Sequence, residues 1–194
     1  ILEITSAKRT RARFFVLGLL TVGTMINYLD RTVLGIAAPR LREDLAIDAA
    51  TMGIVFSAFS WTYAAMQIPG GLFLYLFGSR LTYFLSLTFW SIATLLHGIA
   101  TNVAALLAFR FTLGVSEAPC FPTNSRVVAT WFPQQERAFA TGMYTFGEYV
   151  GLAFLSPVLF WILGAFGWRA LFFVVGIAGV VFGMFWWQTY REPH

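Results

Sequence analysis

Residues 14–38 read FFVLGLLTVGTMINYLDRTVLGIAA, and the reading of that run decides the fold. It is long enough to cross a bilayer, since a spanning helix needs about 20 predominantly apolar residues. Its interior nevertheless carries Asn27, Asp30 and Arg31. A charge at the bilayer centre costs about 2.5–3.5 kcal/mol on insertion scales, so such residues face a protected interior or a watery cavity. Asn27, Asp30 and Arg31 stand at i, i+3 and i+4 and share one helical face. That face is expected to point at whatever the protein handles.

The rest of the chain agrees with a lipid bilayer as its surroundings. It has 194 residues, 58% hydrophobic and only 11% charged, whereas soluble domains carry about 25% charged residues. That much apolar sequence needs several spans, which excludes a single anchor or a cleaved leader. Cys120 is the only cysteine, so there is no intrachain disulfide framework. Much of the net charge of +4 comes from Lys8, Arg9, Arg11 and Arg13, just ahead of the first span. A juxtamembrane basic cluster orients a first helix, and no nucleic-acid partner is expected.

The sequence predicts an all-α membrane protein with spans at about 14–38, 51–76, 81–100, 103–127, 138–163 and 170–190, six in number. A basic segment at 1–13 precedes them and a polar tail at 191–194 follows. An even number of spans puts both termini on one side, with Lys8, Arg9, Arg11, Arg13, Arg80, Arg126, Arg137 and Arg191. The other side holds Arg40, Arg42 and Arg169. The positive-inside rule then places both termini in the cytoplasm. The third and sixth spans are apolar all round apart from His97, read as a boundary residue, and are expected to be lipid-facing or peripheral. The first and fourth spans carry buried charges and the fifth carries Glu148. Charge-bearing spans thus open each group of three, the pattern of a 3+3 inverted repeat.

Depth arithmetic pairs the charges. Arg110 and Asp30 each lie roughly 10–12 Å below the outer surface at 1.5 Å per residue, so an Asp30–Arg110 ion pair is expected. Glu117 falls roughly 10 Å deeper on nearly the same face as Arg110, further from any arginine. Arg31 is left facing the cavity without an intrachain partner, and its fork of donors suits a carboxylate held bidentately. Asp30 and Glu117 are candidates for proton binding, although a static structural network is the rival reading of the same four charges. Tyr28, Tyr63 and Gln67 are candidate cavity residues, Tyr63 equally a packing residue, and Glu148 is expected to face the cavity. Asn124 reads either as a continuation of the Arg110–Glu117 stripe or as a solvated residue near the cytoplasmic end. Gly147/Gly151 and Gly179/Gly183 are small-xxx-small spacings that mark close helix packing. Trp161, Trp168, Trp186 and Trp187 read as an interfacial belt.

The parts for enzymatic chemistry are missing. There is no His-Glu-x-x-His pair, no Gly-x-Ser-x-Gly and no cysteine–histidine cluster. Gly114-Val115-Ser116-Glu117-Ala118 lacks the second glycine of a nucleophile elbow and any nearby histidine base. Neither an enzyme nor a resident metal or cofactor is expected; the proton is the coupling ion.

Several motifs are jointly specific: Asn27-Tyr28-x-Asp30-Arg31, Gln67-Ile-Pro-Gly-Gly71 with Gly78-Ser-Arg80, Arg110-x3-Gly114-x2-Glu117-Ala-Pro119, Phe121-Pro-x-Asn124 and Trp131-Phe-Pro133. Together they resemble the anion:cation symporter family of the major facilitator superfamily, most of all its bacterial proton-coupled transporters of sugar acids such as galactonate, glucarate and hexuronates. The resemblance covers essentially the whole chain. It implies that Asp30 and Glu117, with Arg110, handle the proton. It also implies that Arg31 grips the substrate carboxylate and that Tyr28, Tyr63 and position 148 touch the sugar acid; Asn27 and Gln67 are candidates for the same site from their place in the spans. Arg80 and Tyr75 then fall in the gating loop.

Three departures stand out. The family's acidic gate residue is replaced in a Tyr75-Leu76 pair. Glu148 stands where the resemblance implies glutamine, so either it is protonated in use or the substrate differs. The family has twelve spans in two halves, of which this chain supplies one. The resulting expectation is one half-bundle of a symporter in the bacterial inner membrane. It would carry a small organic anion (a hexonate, hexarate or hexuronate) with protons by alternating access. Its partner would be a second six-helix bundle, from a C-terminal half, a separate chain or a second copy. The rival expectations are a non-transporting or engineered half that serves as a membrane interaction module, and a proton or anion channel.

Overall fold

Apolar side chains spaced along single faces make every element a helix in the computed structural model, which describes residues 11–192. Most of the expected basic segment, with Lys8 and Arg9, and the last two residues of the tail lie outside the described residues. Helix α1 (Ala12–Asp44) continues past the expected end at Ala38, with Pro39 inside it. Proline removes one backbone donor, but the i to i−4 pattern resumes beyond it, with Leu45 N–H donating to Leu41 O at 3.0 Å.

The expected second span is interrupted. Helix α2 (Ala49–Ala65) starts at Asp48, whose carboxylate accepts the Thr51 N–H at 2.8 Å, and stops at Met66. Helix α3 (Gln67–His97) is broken at Gly78, where φ is 77° and ψ 170°, a conformation open to a residue without Cβ. Met66–Phe73 from one arm and Leu85–Phe89 from the other line a single groove, so the arms double back at that glycine. The expected fourth span is likewise two helices, α4 (Val103–Glu117) and α5 (Cys120–Trp131). Pro119 stands at the break and cannot donate to the preceding turn. A 3₁₀ turn at Gln134–Glu136 leads into α6 (Arg137–Phe166), and Gly167, at φ 81°, separates α6 from α7 (Trp168–Thr189).

Five stretches among the described residues are long and apolar enough to cross a membrane: Ala12–Asp44, Gln67–His97, Val103–Trp131, Gln134–Phe166 and Trp168–Thr189. The second of these contains the Gly78 break, and α2, with 17 residues, adds a shorter apolar helix.

Polar contacts define the two ends of the bundle. At one end Asp44 accepts hydrogen bonds from Trp168 Nε1 (3.1 Å) and Arg169 (2.7 Å). At the other, Arg13 pairs with Glu136 at 2.7 Å, Arg126 donates to Leu74 O at 2.8 Å, and Arg80 donates to Trp187 O. Each end has its own apolar core. Leu34, Leu41, Val55, Leu106 and Leu171 fill the Asp44 end. Tyr83, Trp186 and Tyr190 fill the other, with Trp186 stacked on Tyr190 at 4.3 Å.

The small-residue spacings do mark close packing. A Cβ on Gly147 would meet Thr21 Cγ2 at 2.6 Å, one on Gly151 would meet Met25, and one on Gly179 would meet Ser91. Two expectations need correction. Trp161 and Trp187 are exposed, but Trp168 and Trp186 are buried core residues rather than an interfacial belt. Helix α3 is not apolar all round, whereas α7 is apolar through its length between Arg169 and Gln188. Their outer faces present Phe89, Ile92, Ile177 and Val181, while α3 buries Thr82, Ser86, Ser91 and Thr94 against its neighbours.

Candidate functional site

Between the two apolar cores lies a layer of buried polar groups. Helix α1 contributes Asn27, Asp30 and Arg31, α4 contributes Arg110 and Glu117, and α6 contributes Glu148. Asn27, Asp30, Arg110, Glu117 and Glu148 are each at most 5% exposed. The single face predicted for Asn27, Asp30 and Arg31 is therefore turned inward.

Arg31 has a partner, contrary to the expectation of a free guanidinium. Its Nε donates to Glu117 Oε1 at 2.6 Å and its Nη2 reaches the same oxygen. Glu117 is thus not the carboxylate remote from arginine. The depth arithmetic erred because Arg31 is a long side chain that spans nearly two turns of its neighbour. The Arg31 side chain is 27% exposed and Glu117 is fully buried, so the pair is lopsided: one charge is open and the other sealed. Three rings surround the guanidinium, Tyr28 at 5.1 Å, Phe59 at 5.1 Å and Tyr63 at 4.8 Å. Cations over aromatic faces gain about 0.5–2 kcal/mol each. The approach of α2 that supplies Phe59 and Tyr63 depends on Gly114, where a Cβ would collide with Thr62 and with Phe59 O.

The expected Asp30–Arg110 ion pair is not formed; no carboxylate lies within 4 Å of Arg110 among the described residues. Both Asp30 oxygens are buried and unbonded, and so are Arg110 Nε, Trp90 Nε1 and Thr94 Oγ1. Arg110 turns its guanidinium toward Phe59, 5.9 Å from the ring centre. Asp30 sits beside Thr94 and Trp90 of α3, with Arg110 and Glu117 in Coulombic range.

Of the other sequence candidates, Glu148 is buried beside the Tyr28 hydroxyl, and Asn27 lies beside Glu117. Tyr63 faces Arg31 and neighbours Gln67. Asn124 is fully buried rather than solvated, with Nδ2 donating to Thr24 Oγ1 at 3.2 Å. His97 is 1% exposed, not a boundary residue, and stacks on Phe172 at 5.4 Å.

The gating candidates lie apart from this layer. Tyr75 is 78% exposed. Arg80 lies over the Trp187 ring at 4.3 Å, and the neighbouring Ser79 N–H donates to the Glu192 carboxylate at 2.5 Å.

Sequence reasoning missed Phe59, Trp90, Thr94 and Glu192. The hydroxyl pairs at 82/86 and 91/94 do recur at helical spacing along α3, which was the available signal. Glu192 carried none, because its partner is an amide 113 residues away.

Comparisons with known proteins extend the geometry. A family model described as Major Facilitator Superfamily matches residues 20–194. The D-galactonate transporter of Escherichia coli O6:H1 (strain CFT073) is 44% identical over 192 residues, covering 99% of this chain and 45% of its own length. The probable galactarate/D-glucarate transporter GudP of Bacillus subtilis (strain 168) is 42% identical, covering 97% of this chain and 43% of its own. Among solved structures, a bacterial homolog of the human lysosomal transporter Spinster, crystallised inward-facing and unoccupied, superposes with a TM-score of 0.83 at 28% identity. The match covers 97% of this chain and 45% of that one. The chain therefore spans somewhat under half the length of the relatives it matches.

Proposed function

We propose, since this chain belongs to the Major Facilitator Superfamily, that it is a six-span half-bundle of a proton-coupled symporter carrying a sugar acid by alternating access. Both termini face the cytoplasm of a bacterial inner membrane. The arginines at 13, 80, 126 and 137 at the Gly78 end, against 40, 42 and 169 at the Asp44 end, support that orientation. The sugar-acid class is taken from the relatives of 42–44% identity.

One observation carries the mechanism: a 27% exposed Arg31 bonded to a fully buried Glu117. A substrate carboxylate approaching from the open side competes with Glu117 for the same guanidinium. Removing the partner of a buried charge costs about 3–5 kcal/mol. Displaced Glu117 therefore takes a proton, and anion binding and proton uptake become one event. The cluster of Asp30, Glu117 and Glu148 against Arg31 and Arg110 has one more carboxyl than guanidinium, so one proton held among the carboxyls balances the site. Tyr28, Tyr63, Asn27 and Gln67 supply hydroxyl and amide partners for the sugar acid, with Arg110 holding Asp30 when it is ionised.

Alternating access needs a second six-helix bundle facing this one. The exposed Trp61, Ile68, Phe146 and Tyr149 present an apolar surface for it. Tyr75 and Arg80 lie at the gate, where the acidic latch of the family is absent.

The test is uptake of radiolabelled D-galactonate or D-glucarate into proteoliposomes holding this chain and a second bundle. Accumulation driven by an inward proton gradient and abolished by a protonophore is expected. A loss of accumulation in every bundle combination, with folded protein inserted, leaves a membrane interaction module as the function. Flux that does not saturate with substrate identifies a channel.

A further inference from the structure

His97 is an ionisable residue with no place in the mechanism above, yet its surroundings are built with care. The ring is 1% exposed at the last turn of α3. Phe172 stacks on one face at 5.4 Å and 17°, and Phe109 closes the side at 5.6 Å. Nδ1 lies 2.7 Å from Ala93 O. A carbonyl only accepts, so Nδ1 carries the proton and Nε2 of the neutral ring is left as an acceptor. That Nε2 is buried and unbonded, which is unfavourable unless a donor reaches it.

The charged donor that acts on His97 is Arg110. It follows Phe109 directly, acts electrostatically on both His97 and Asp30, and has a buried, unbonded Nε of its own. Thr94, beside Asp30, stands one turn before His97 on the same face of α3, so the carboxyl and the imidazole belong to neighbouring turns of α3's inner wall. Glu117 also acts electrostatically on Arg110, but among the described residues its carboxylate is committed elsewhere. Arg31 and Glu117 are bonded to each other, and Arg169 and Asp44, at the bundle end, likewise.

Resting on the proton-coupled reading, we infer that His97 is the neutral acceptor onto which Arg110 swings when Asp30 is protonated, a positioning residue that releases the arginine from the carboxyl. An arginine whose neighbouring acceptors are all carboxylates pins them in their charged form. An alternative neutral acceptor within one side-chain swing lets the proton be taken up without stranding a buried guanidinium, whose isolation costs several kcal/mol. Protonated imidazole cannot serve, since it presents only donors.

Two measurements on the full chain in lipid nanodiscs test this. With ¹⁵N-histidine, of which there are only His97 and His194, the buried ring is expected to hold the Nδ1–H tautomer from about pH 5 to 9. A doubly protonated ring in that range, or the Nε2–H tautomer, overturns the assignment whether or not any variant folds. Infrared titration of the Asp30 carboxyl band, identified by its loss in Asp30→Asn, gives the second reading. His97→Phe keeps the stacking but removes the acceptor, and is expected to move the Asp30 midpoint down by about one pH unit, a tenfold loss of proton affinity. His97→Gln, which restores an acceptor, returns it. An unchanged midpoint in His97→Phe, or an equal shift in His97→Gln, overturns the role of His97 alone. An Asp30 band that never titrates brings down the proton-coupled reading and this inference with it.

Discussion

Replacing Glu117 by glutamine tests the proposed coupling step. Glu117 is fully buried and bonded twice through one oxygen to Arg31, whose side chain remains 27% exposed. A substrate carboxylate that captures Arg31 leaves the Glu117 carboxylate sealed and unpaired, at about 3–5 kcal/mol. Protonating it costs only about 1.4 kcal/mol for each pH unit above its midpoint, so protonation wins over at least two pH units. The occupied protein then holds one more proton than the empty one, and affinity rises as pH falls. The dissociation constant for D-galactonate should increase about tenfold per pH unit. Glutamine keeps the shape and an oxygen for Arg31 but takes no proton, so the same plot should be flat. Calorimetric titration of this chain with a second bundle in nanodiscs, over a pH series and in buffers of different ionisation enthalpy, reads both slope and proton count. A Glu117→Gln protein that retains the tenfold slope, or an unmodified protein that lacks it, refutes the competition between Glu117 and substrate.

Other expectations follow from the same contacts. Arg31→Ala should weaken sugar-acid binding far more than Arg31→Lys, because lysine keeps the charge and loses the fork; equal losses in a binding titration argue against bidentate recognition. Gly147→Leu should destabilise the bundle by about 1–3 kcal/mol, since a Cβ there meets Thr21 at 2.6 Å and its carbonyl oxygen at 2.9 Å. Gly142→Leu, with nothing within 4 Å, should leave the melting temperature unchanged in the same detergent. Glu192→Gln should speed hydrogen exchange at the Ser79 and Arg80 amides, which the carboxylate accepts at 2.5 and 3.4 Å; unchanged exchange means that the tail does not hold this turn. At the opposite end, the Thr51 side chain and then its amide hold the Asp48 carboxyl below the usual carboxylate range. Its cap is therefore present above the ordinary aspartate range and lost as pH falls through the lowered value. Fraying of α2 measured by exchange at Thr51 should set in on acidification and be absent from Asp48→Asn.

Much of this protein is legible in its order of residues because the bilayer is a demanding solvent. Long apolar runs must be helices, since backbone groups in lipid find partners only within the segment, and the runs beginning at 14, 103, 138 and 170 are helical. A charge within such a run must turn inward, which identified the faces of Asn27, Asp30, Arg31, Arg110 and Glu117 before any coordinates. The small-residue spacings at 147/151 and 179/183 likewise follow from backbone geometry alone.

Partner choice within the polar layer was not legible. Depth along two helix axes put Asp30 opposite Arg110, but a guanidinium on a long stem reaches across more than a turn. The rotation of α1 against α4 sends Arg31 to Glu117 and leaves Asp30 beside Thr94 and Trp90. The burial of His97, Asn124 and Trp186 has the same origin. A residue near the end of a span is solvated or sealed according to what the neighbouring helices place over it, and those neighbours are distant in the chain. The sequence by itself determined that charges would be buried here and on which helical faces, because lipid rejects them. Only the tertiary structure decided which charge is paired, which is sealed and which stays open, because those depend on how the helices are rotated and packed against one another.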